Sequence, residues 1–292
     1  MIPFTYLEPS SLDETLALLA QHGDEAKLIA GGTGLVNLMK QRLVRPEFVI
    51  GLRALKPLTA IAENGGLSIG ALATLRSLEG SAAVRRAAPL LAEACRHIAT
   101  VRVRSMATLG GAVAHADPNL DTPPVLIALD GQIVARSRRG ERKIPADRFF
   151  TGYFETVLEP DEIVTEILIP AQPAGSGTAF LKFLPATHDD YATVSVAVRV
   201  VLGADGAIAE ARVALGAAAT VPVRATAVEA GLAGKTADET TFREVAPLVL
   251  RSIDPIADFR GSTEYKRKMA VVHVGRALTQ AASRASGPAE NR

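Results

Sequence analysis

The sequence predicts an α+β chain, and three observations carry that prediction. A strand–helix–strand pattern spans residues 27–50; hairpin patterns with Asn64-Gly65-Gly66 and Asp130-Gly131 turns fill the middle; a run of strands precedes a run of helices at the end. With 292 residues, the chain can bury substantial cores in two domains. We place a first domain at 1–175, with subdomains of about 1–56 and 57–175, and a second at 176–292.

Taken in order, Ser11-Leu12-Asp13-Glu14 is a capping-box pattern, with Leu12, Leu16 and Leu19 at helical spacing and Gly23 suited to the helix end. Lys27-Leu28-Ile29-Ala30 reads as a short strand entering a glycine-rich turn, Leu35 to Leu43 as a helix stopped near Pro46, and Phe48-Val49-Ile50 as the next strand. Such a crossover implies parallel pairing. Residues 61–63 and 67–69 form a hairpin. Helices follow at 74–79, 89–97 and 123–129, then strands at 133–136 and 166–169.

Ala171 to Thr178, rich in Gly and Pro, reads as the linker. Strands are expected at 179–183, 192–202 and 207–216, and helices at 224–232, 241–251 and 263–284. The last helix has Tyr265, Met269, Val272 and Leu278 near one face. The tail from Ser286 is expected to be disordered.

A formal net charge of +1 gives no global field to attract nucleic acid or anionic lipid. The basic stretch Arg136, Arg138, Arg139, Arg142 and Lys143 lacks interleaved aromatics and reads as the exterior of a hairpin. No apolar run is long enough to span a bilayer, and Met1-Ile2-Pro3-Phe4 is not a signal peptide, so a cytoplasmic protein without integral membrane contact is expected. Cys95 is the only cysteine, which excludes an internal disulfide and a Cys-ligated iron–sulfur cluster. Redox chemistry would need an organic cofactor here or metals on other chains.

Two glycine-rich segments, Ala30-Gly31-Gly32-Thr33-Gly34 and Thr108-Leu109-Gly110-Gly111-Ala112, are the strongest functional signal. Bare backbone amides at such turns can approach a diphosphate. Asp121, ten residues past the second, can accept from a ribose hydroxyl or an adenine amine. The first segment begins like a Rossmann fingerprint, but Asn37 stands at the third glycine and Arg53 near the acidic position. No Walker Gly-Lys-Ser/Thr is present. His115-Ala116-Asp117 admits a metal reading without a closing ligand at a familiar spacing, so His115 reads as a packing or surface residue. Arg102 and Arg104 fit a phosphate contact, a partner contact or the surface equally well.

Four segments together resemble the FAD-binding medium subunit of the molybdenum hydroxylases, the family of carbon monoxide dehydrogenase and xanthine dehydrogenase. They are Lys27 to Leu35, Thr108 to Gly111 with Asp121, Asp161-Glu162-Ile163-Val164, and Lys182 with Asp189-Asp190-Tyr191-Ala192-Thr193. The resemblance implies a two-subdomain FAD-binding domain of the vanillyl-alcohol-oxidase (PCMH) type, then a C-terminal α+β domain with a three-stranded antiparallel sheet and helices. It places Lys27, Leu28, Ile29, Ala30, Gly31, Gly32, Thr33, Gly34 and Leu35 at one pyrophosphate loop. Thr108, Leu109, Gly110, Gly111 and Ala112 fall at a second, followed by Asp121. It further implies an FAD contact at Ile98, a residue near the flavin or adenine at Val164, a cationic contact at Lys182, and a side chain beside the isoalloxazine at Tyr191.

By the same resemblance, FAD would be noncovalent, with no His or Cys placed to bond it, and no acid–base catalyst would be needed. The chain would take electrons from the [2Fe–2S] clusters of a small subunit and pass them to an external acceptor. A large subunit would carry the molybdopterin, and the assembly would be a dimer of heterotrimers. The alternatives are a stand-alone flavin oxidoreductase of the same superfamily and a non-redox nucleotide-binding module.

Overall fold

The computed structural model describes residues 1–185, 187 and 189–287. Its first sheet is the expected parallel unit. Strand β1 (Thr5–Leu7) leads to α1 (Leu12–His22), then β2 (Ala26–Ile29), α2 (Leu35–Lys40) and β3 (Phe48–Gly51). Strand β3 lies between the other two and pairs in parallel with both. Leu16 and Leu19 of α1 bury against Ala26 and Ile50 of the sheet. The Ser11 hydroxyl accepts from the Glu14 amide as expected, but the Glu14 carboxylate reaches Ser10, one residue earlier than a capping box requires. Helix α2 ends at Lys40, short of Leu43, because Arg42 turns left-handed (φ 62°) and Leu43 N donates back to Leu38 O. That is a Schellman ending on a non-glycine residue.

The middle of the chain builds an antiparallel sheet and covers it with short helices. The elements are β4 (Ile61–Glu63), β5 (Gly66–Gly70), α3 (Leu75–Gly80), α4 (Ala82–Ala87), α5 (Pro89–Arg96), α6 (Val101–Met106), α7 (Leu109–His115) and α8 (Thr122–Ala128). Next come β6 (Gln132–Ser137), β7 (Gly140–Pro145), the small pair β8 (Phe150–Gly152) and β9 (Glu155–Thr156), and β10 (Ile163–Pro170). The sheet runs β4-β5-β10-β6-β7. The basic stretch is the outside of the β6–β7 hairpin, where Arg139 and Arg142 pair with Asp161 and Glu162.

The C-terminal sheet runs β11 (Ser176–Phe183), β12 (Val194–Leu202), β13 (Ile208–Gly216) and β14 (Val223–Arg224), adding a two-residue strand to the three expected. Helices α9 (Thr226–Leu232), α10 (Glu239–Val245) and α11 (Thr263–Ser286) follow. Alternate residues face opposite ways: Phe180, Ala197 and Ala214 join the core shared with α5 and α8, while Ala179, Val196, Val198, Val213 and Leu215 pack towards α11. Burial on both faces explains the nearly unbroken apolar run of β12.

Two expectations fail here for one reason, close backbone packing. Residues 176–178 are not linker but the start of β11. A β-carbon at Gly177 would lie 2.0 Å from Ala281 O, so this glycine admits α11 rather than loosening the chain. The buried face of α11 is accordingly small and includes Ala270, Ala277, Ala281 and Ala282, with Leu278, whereas Tyr265 and Val272 are exposed. Ser286 closes α11, and residues 288–292 of the expected disordered tail lie outside the described residues. Among the described residues no helix is long and apolar enough to cross a membrane.

Candidate functional site

The two glycine segments, far apart in sequence, meet in space. A β-carbon at Gly31 would lie 1.9 Å from Met106 O, one at Gly34 would lie 2.5 Å from His115 Nε2, and one at Gly111 would lie 3.6 Å from the Ala30 methyl. Three separate approaches therefore bring the Ala30–Gly34 turn onto the 106–115 segment. The first two need a missing side chain at the glycine, whereas the third is an ordinary van der Waals distance.

Their amides are used differently. In the first turn, Gly31, Gly32, Thr33, Gly34 and Leu35 donate to no acceptor among the described residues. Gly32 takes φ 71°, which a glycine adopts without steric cost. Asn37, at the would-be third Rossmann glycine, donates its side-chain amide to Thr33 O and braces the turn. A run of unengaged amides leading into a helix is a fit for an anionic diphosphate. Leu28 and Ala30 pack towards the small core, so Lys27 and Ile29 project from the other face of β2, where Ile29 flanks Gly32.

The second segment is not a free loop, which corrects the expectation from sequence. Thr108 caps α7, its hydroxyl accepting from Gly111 N at 3.1 Å. Leu109 N and Gly110 N donate to Ala73 O and Ala71 O, and Ala112 N to Thr108 O. A β-carbon at Gly110 would strike Ala71, and the Leu109 side chain is fully buried in the core. Gly110 and Leu109 thus brace the site from behind. Gly111 and half-buried Ala112 are left at its surface.

Asp121 and Lys182 form one unit rather than two separate contacts. Lys182, on the face of β11 shared with Phe180, donates to Asp121 Oδ2 at 2.7 Å and to His97 O at 3.1 Å. Both side chains are almost wholly buried. Burial raises the Asp121 carboxyl from its ordinary 3.8 to about 6, with Lys182 pulling the other way. The remaining oxygen, Asp121 Oδ1, has no donor among the described residues. Buried acceptors rarely stay unpaired, so Oδ1 is suited to a ligand hydroxyl or amine.

Ile98 and Val164 lie in the same core cluster, and their side chains are committed to packing. Arg104 is structural: it is buried, donates to Ile98 O and Ala99 O, and pairs with Glu79. Arg102 is exposed. His115 packs between Gly34 and Phe154, and burial lowers its pKa. Among the described residues no group of three or more His, Cys, Asp or Glu is arranged to hold a metal.

Tyr191 is 42% exposed. Asp190 Oδ1 accepts from its amide, the Asp117 carboxylate lies beside its hydroxyl, and Arg260 lies over its ring. Burial is the main cause that raises the phenol's pKa, so Tyr191 stays neutral at physiological pH. Arg260 carried no sequence signal, since it sits 69 residues beyond Tyr191. The backbone carbonyls of Met106 and His97 were equally hidden, being independent of side-chain identity.

Residues 2–172 match the family model described as the FAD binding domain in molybdopterin dehydrogenase, and residues 179–281 match the CO dehydrogenase flavoprotein C-terminal domain. The chain is 37% identical to the carbon monoxide dehydrogenase medium chain of Hydrogenophaga pseudoflava, over 97% of this chain and 99% of that one. It is 34% identical to the 6-hydroxypseudooxynicotine dehydrogenase complex subunit alpha of Paenarthrobacter nicotinovorans, over 97% and 95% respectively. The solved carbon monoxide dehydrogenase from H. pseudoflava superposes with a TM-score of 0.94 at 39% identity, covering 97% of this chain and 99% of that one. The chain belongs to the FAD-binding medium-subunit family of the carbon monoxide dehydrogenase and xanthine dehydrogenase type, whose members are oxidoreductase subunits.

Proposed function

We propose that this chain is the FAD-carrying electron-transfer subunit of a cytoplasmic, heteromeric molybdenum hydroxylase. A small partner subunit would deliver electrons from [2Fe–2S] clusters, and a large subunit would hold the molybdopterin, in a dimer of heterotrimers. One observation carries the reading: the first turn offers consecutive unused amides, packed against a second segment that leads to a buried acid with an unpaired oxygen.

In this reading the amides of Gly31 to Leu35 bind the diphosphate, with Gly111 and Ala112 closing over it. The Thr108 hydroxyl fixes the Gly111 amide, and Lys27 offsets phosphate charge from the edge of β2. Asp121 Oδ1 accepts from a ribose hydroxyl or the adenine amine, while Lys182 keeps Asp121 charged. Leu28, Ile29, Leu109, Ile98 and Val164 shape and support the pocket from the core. Tyr191 borders the isoalloxazine. Bound FAD supplies the capacity to accept electrons and release them singly or in pairs. The protein contributes position, charge and access.

The test is purification from the native host. We expect one FAD per chain, released completely by acid precipitation as a noncovalent cofactor should be, together with two partner chains bearing molybdenum and iron. Partner chains without those metals, or flavin that stays with the precipitated protein, would overturn the respective parts. Substrate turnover by the isolated FAD-loaded chain would instead favour a stand-alone oxidoreductase.

A further inference from the structure

Tyr191 is held on several sides, and the most unusual contact comes from outside its own loop. The Arg260 guanidinium carbon lies 5.5 Å from the centroid of the Tyr191 ring and 4.1 Å from that of Phe259. Arg260 Nη2 pairs with Asp190 Oδ1 at 2.7 Å, and the same carboxylate oxygen accepts from Tyr191 N, also at 2.7 Å. Thr193, two residues beyond Tyr191, donates its hydroxyl to Arg260 O.

The base from which Arg260 reaches is stiff. Asp258 and Gly261 exchange both backbone hydrogen bonds across a tight turn, Asp258 Oδ1 accepts from Arg260 N, and Asp258 pairs with buried Lys266 of α11 at 2.9 Å. Arg260 Nε is buried with no acceptor among the described residues. Orphaned donors of this kind are costly. A surface arginine placed only for charge would turn Nε towards water, whereas this one keeps the geometry that engages Asp190 and the ring.

We propose that Arg260 is the positioning residue for Tyr191: it anchors the 189–193 loop through Asp190 and fixes the phenol ring by a cation–π contact, so the ring is presented in one orientation at the flavin edge. The proposal rests on the reading that Tyr191 borders the isoalloxazine. Arg260 itself touches no reacting atom. Its effect passes through the tyrosine.

The experiment uses the full chain loaded with FAD and reads flavin fluorescence, the visible flavin spectrum and FAD affinity in five variants. A phenol ring held against a flavin quenches its emission by donating an electron to the excited flavin. Tyr191→Ala should therefore raise fluorescence severalfold, and an unchanged signal would overturn the underlying reading of Tyr191 rather than the role of Arg260. Given that rise, Arg260→Met should reproduce most of it while binding FAD as tightly as the native chain. Loss of one cation–π contact and its ion pair lowers occupancy of the fixed ring position by roughly fivefold or more. Arg260→Lys should restore part of the quenching, and Asp190→Asn should give an intermediate signal. Tyr191→Phe, whose ring is too poor an electron donor to quench, should emit like Tyr191→Ala, and a chain that stayed quenched would overturn the reading of Tyr191. Native emission in both Arg260→Met and Asp190→Asn would overturn the proposal. If Arg260→Met does not fold, Asp190→Asn and Arg260→Lys decide, and native emission in both has the same meaning.

Discussion

Substituting Gly31 by alanine tests the convergence of the two segments most directly. The added β-carbon would lie 1.9 Å from Met106 O, 2.6 Å from Met106 C and 3.0 Å from Ala107 Cα. All three are backbone atoms, so no side chain can swing aside. Real β-carbons essentially never come closer than 3.0 Å, so the turn and the α6–α7 junction must part by at least about 1.1 Å (3.0 − 1.9). Overpacking of this kind costs about 1–3 kcal/mol of stability. An amide held about 2.9 Å from a phosphate oxygen would be carried to about 4 Å, beyond hydrogen-bond range. Losing two charge-assisted bonds at about 1.5–3 kcal/mol each weakens FAD binding by roughly 10²- to 10⁴-fold. The assay is a fluorescence titration of the apo chain with FAD, with a thermal melt to verify folding. Gly65→Ala is the control: Gly65, unlike Gly31, takes a positive φ of 65°, and it has open space around it, so the variant should lose stability without losing affinity. A folded Gly31→Ala chain with an FAD Kd within about threefold of native would refute the argument that this close approach holds the diphosphate turn.

Gly110→Ala should separate bracing from binding. Its β-carbon would meet Ala71, so the melting temperature should fall while Kd for FAD changes far less than in Gly31→Ala; equal losses of affinity in both would count against the distinction. Asp121 makes stability depend on pH in a defined direction. Its folded carboxyl titrates at about 6 against an ordinary 3.8, so the folded state holds the proton more tightly. Its penalty is present in full above pH 6 and is relieved as pH falls towards 3.8, a gain of about 3 kcal/mol (2.2 × 1.36) for the apo chain. Urea unfolding of the apo native chain and Asp121→Asn across that window should diverge, and parallel curves would be the contrary result. Cys95 is buried and its thiol is pushed up to about 12, so a thiol reagent should label it only on unfolding; fast labelling of the native chain would contradict that burial.

Where sequence reading succeeded, local chemistry and tertiary packing asked for the same thing. The leucines of α1 face the core because their spacing matches one helix face, and the βαβ crossover allowed only parallel pairing. Where it failed, one residue type served two purposes. Gly177 looks like linker and Gly110 like a phosphate loop, yet both are bare because another backbone passes against them. Helices α6 and α7 were missed because Val101-Arg102-Val103-Arg104 alternates like a strand and paired glycines disfavour a helix. Thr100 and Thr108, whose hydroxyls cap those helices, were the available signals. The glycine turns and Asp121 were legible as candidates. That Lys182 would serve Asp121, and Arg260 would approach Tyr191, followed only from how the C-terminal sheet and the 258–261 turn are placed.

The Asp121–Lys182 pair gives that placement an energetic consequence. The acid belongs to the start of α8, but the cation that offsets its burial arrives on β11 of the C-terminal sheet. A ligand donor at Oδ1 favours the ionised carboxylate, and an ionised carboxylate strengthens the hold on Lys182. Binding at the acid and seating of the sheet therefore assist each other, and linkage makes the assistance reciprocal. Lys182→Met breaks this coupling at its source. It leaves a buried carboxyl without its counter-ion, which raises that pKa further and, in the proposed reading, turns Oδ1 from an acceptor for FAD into part of a neutral acid. FAD affinity in that variant should recover when Asp121→Asn is added, because the neutral amide no longer needs the lysine. A double variant that binds no better than Lys182→Met would show that Lys182 reaches the cofactor itself.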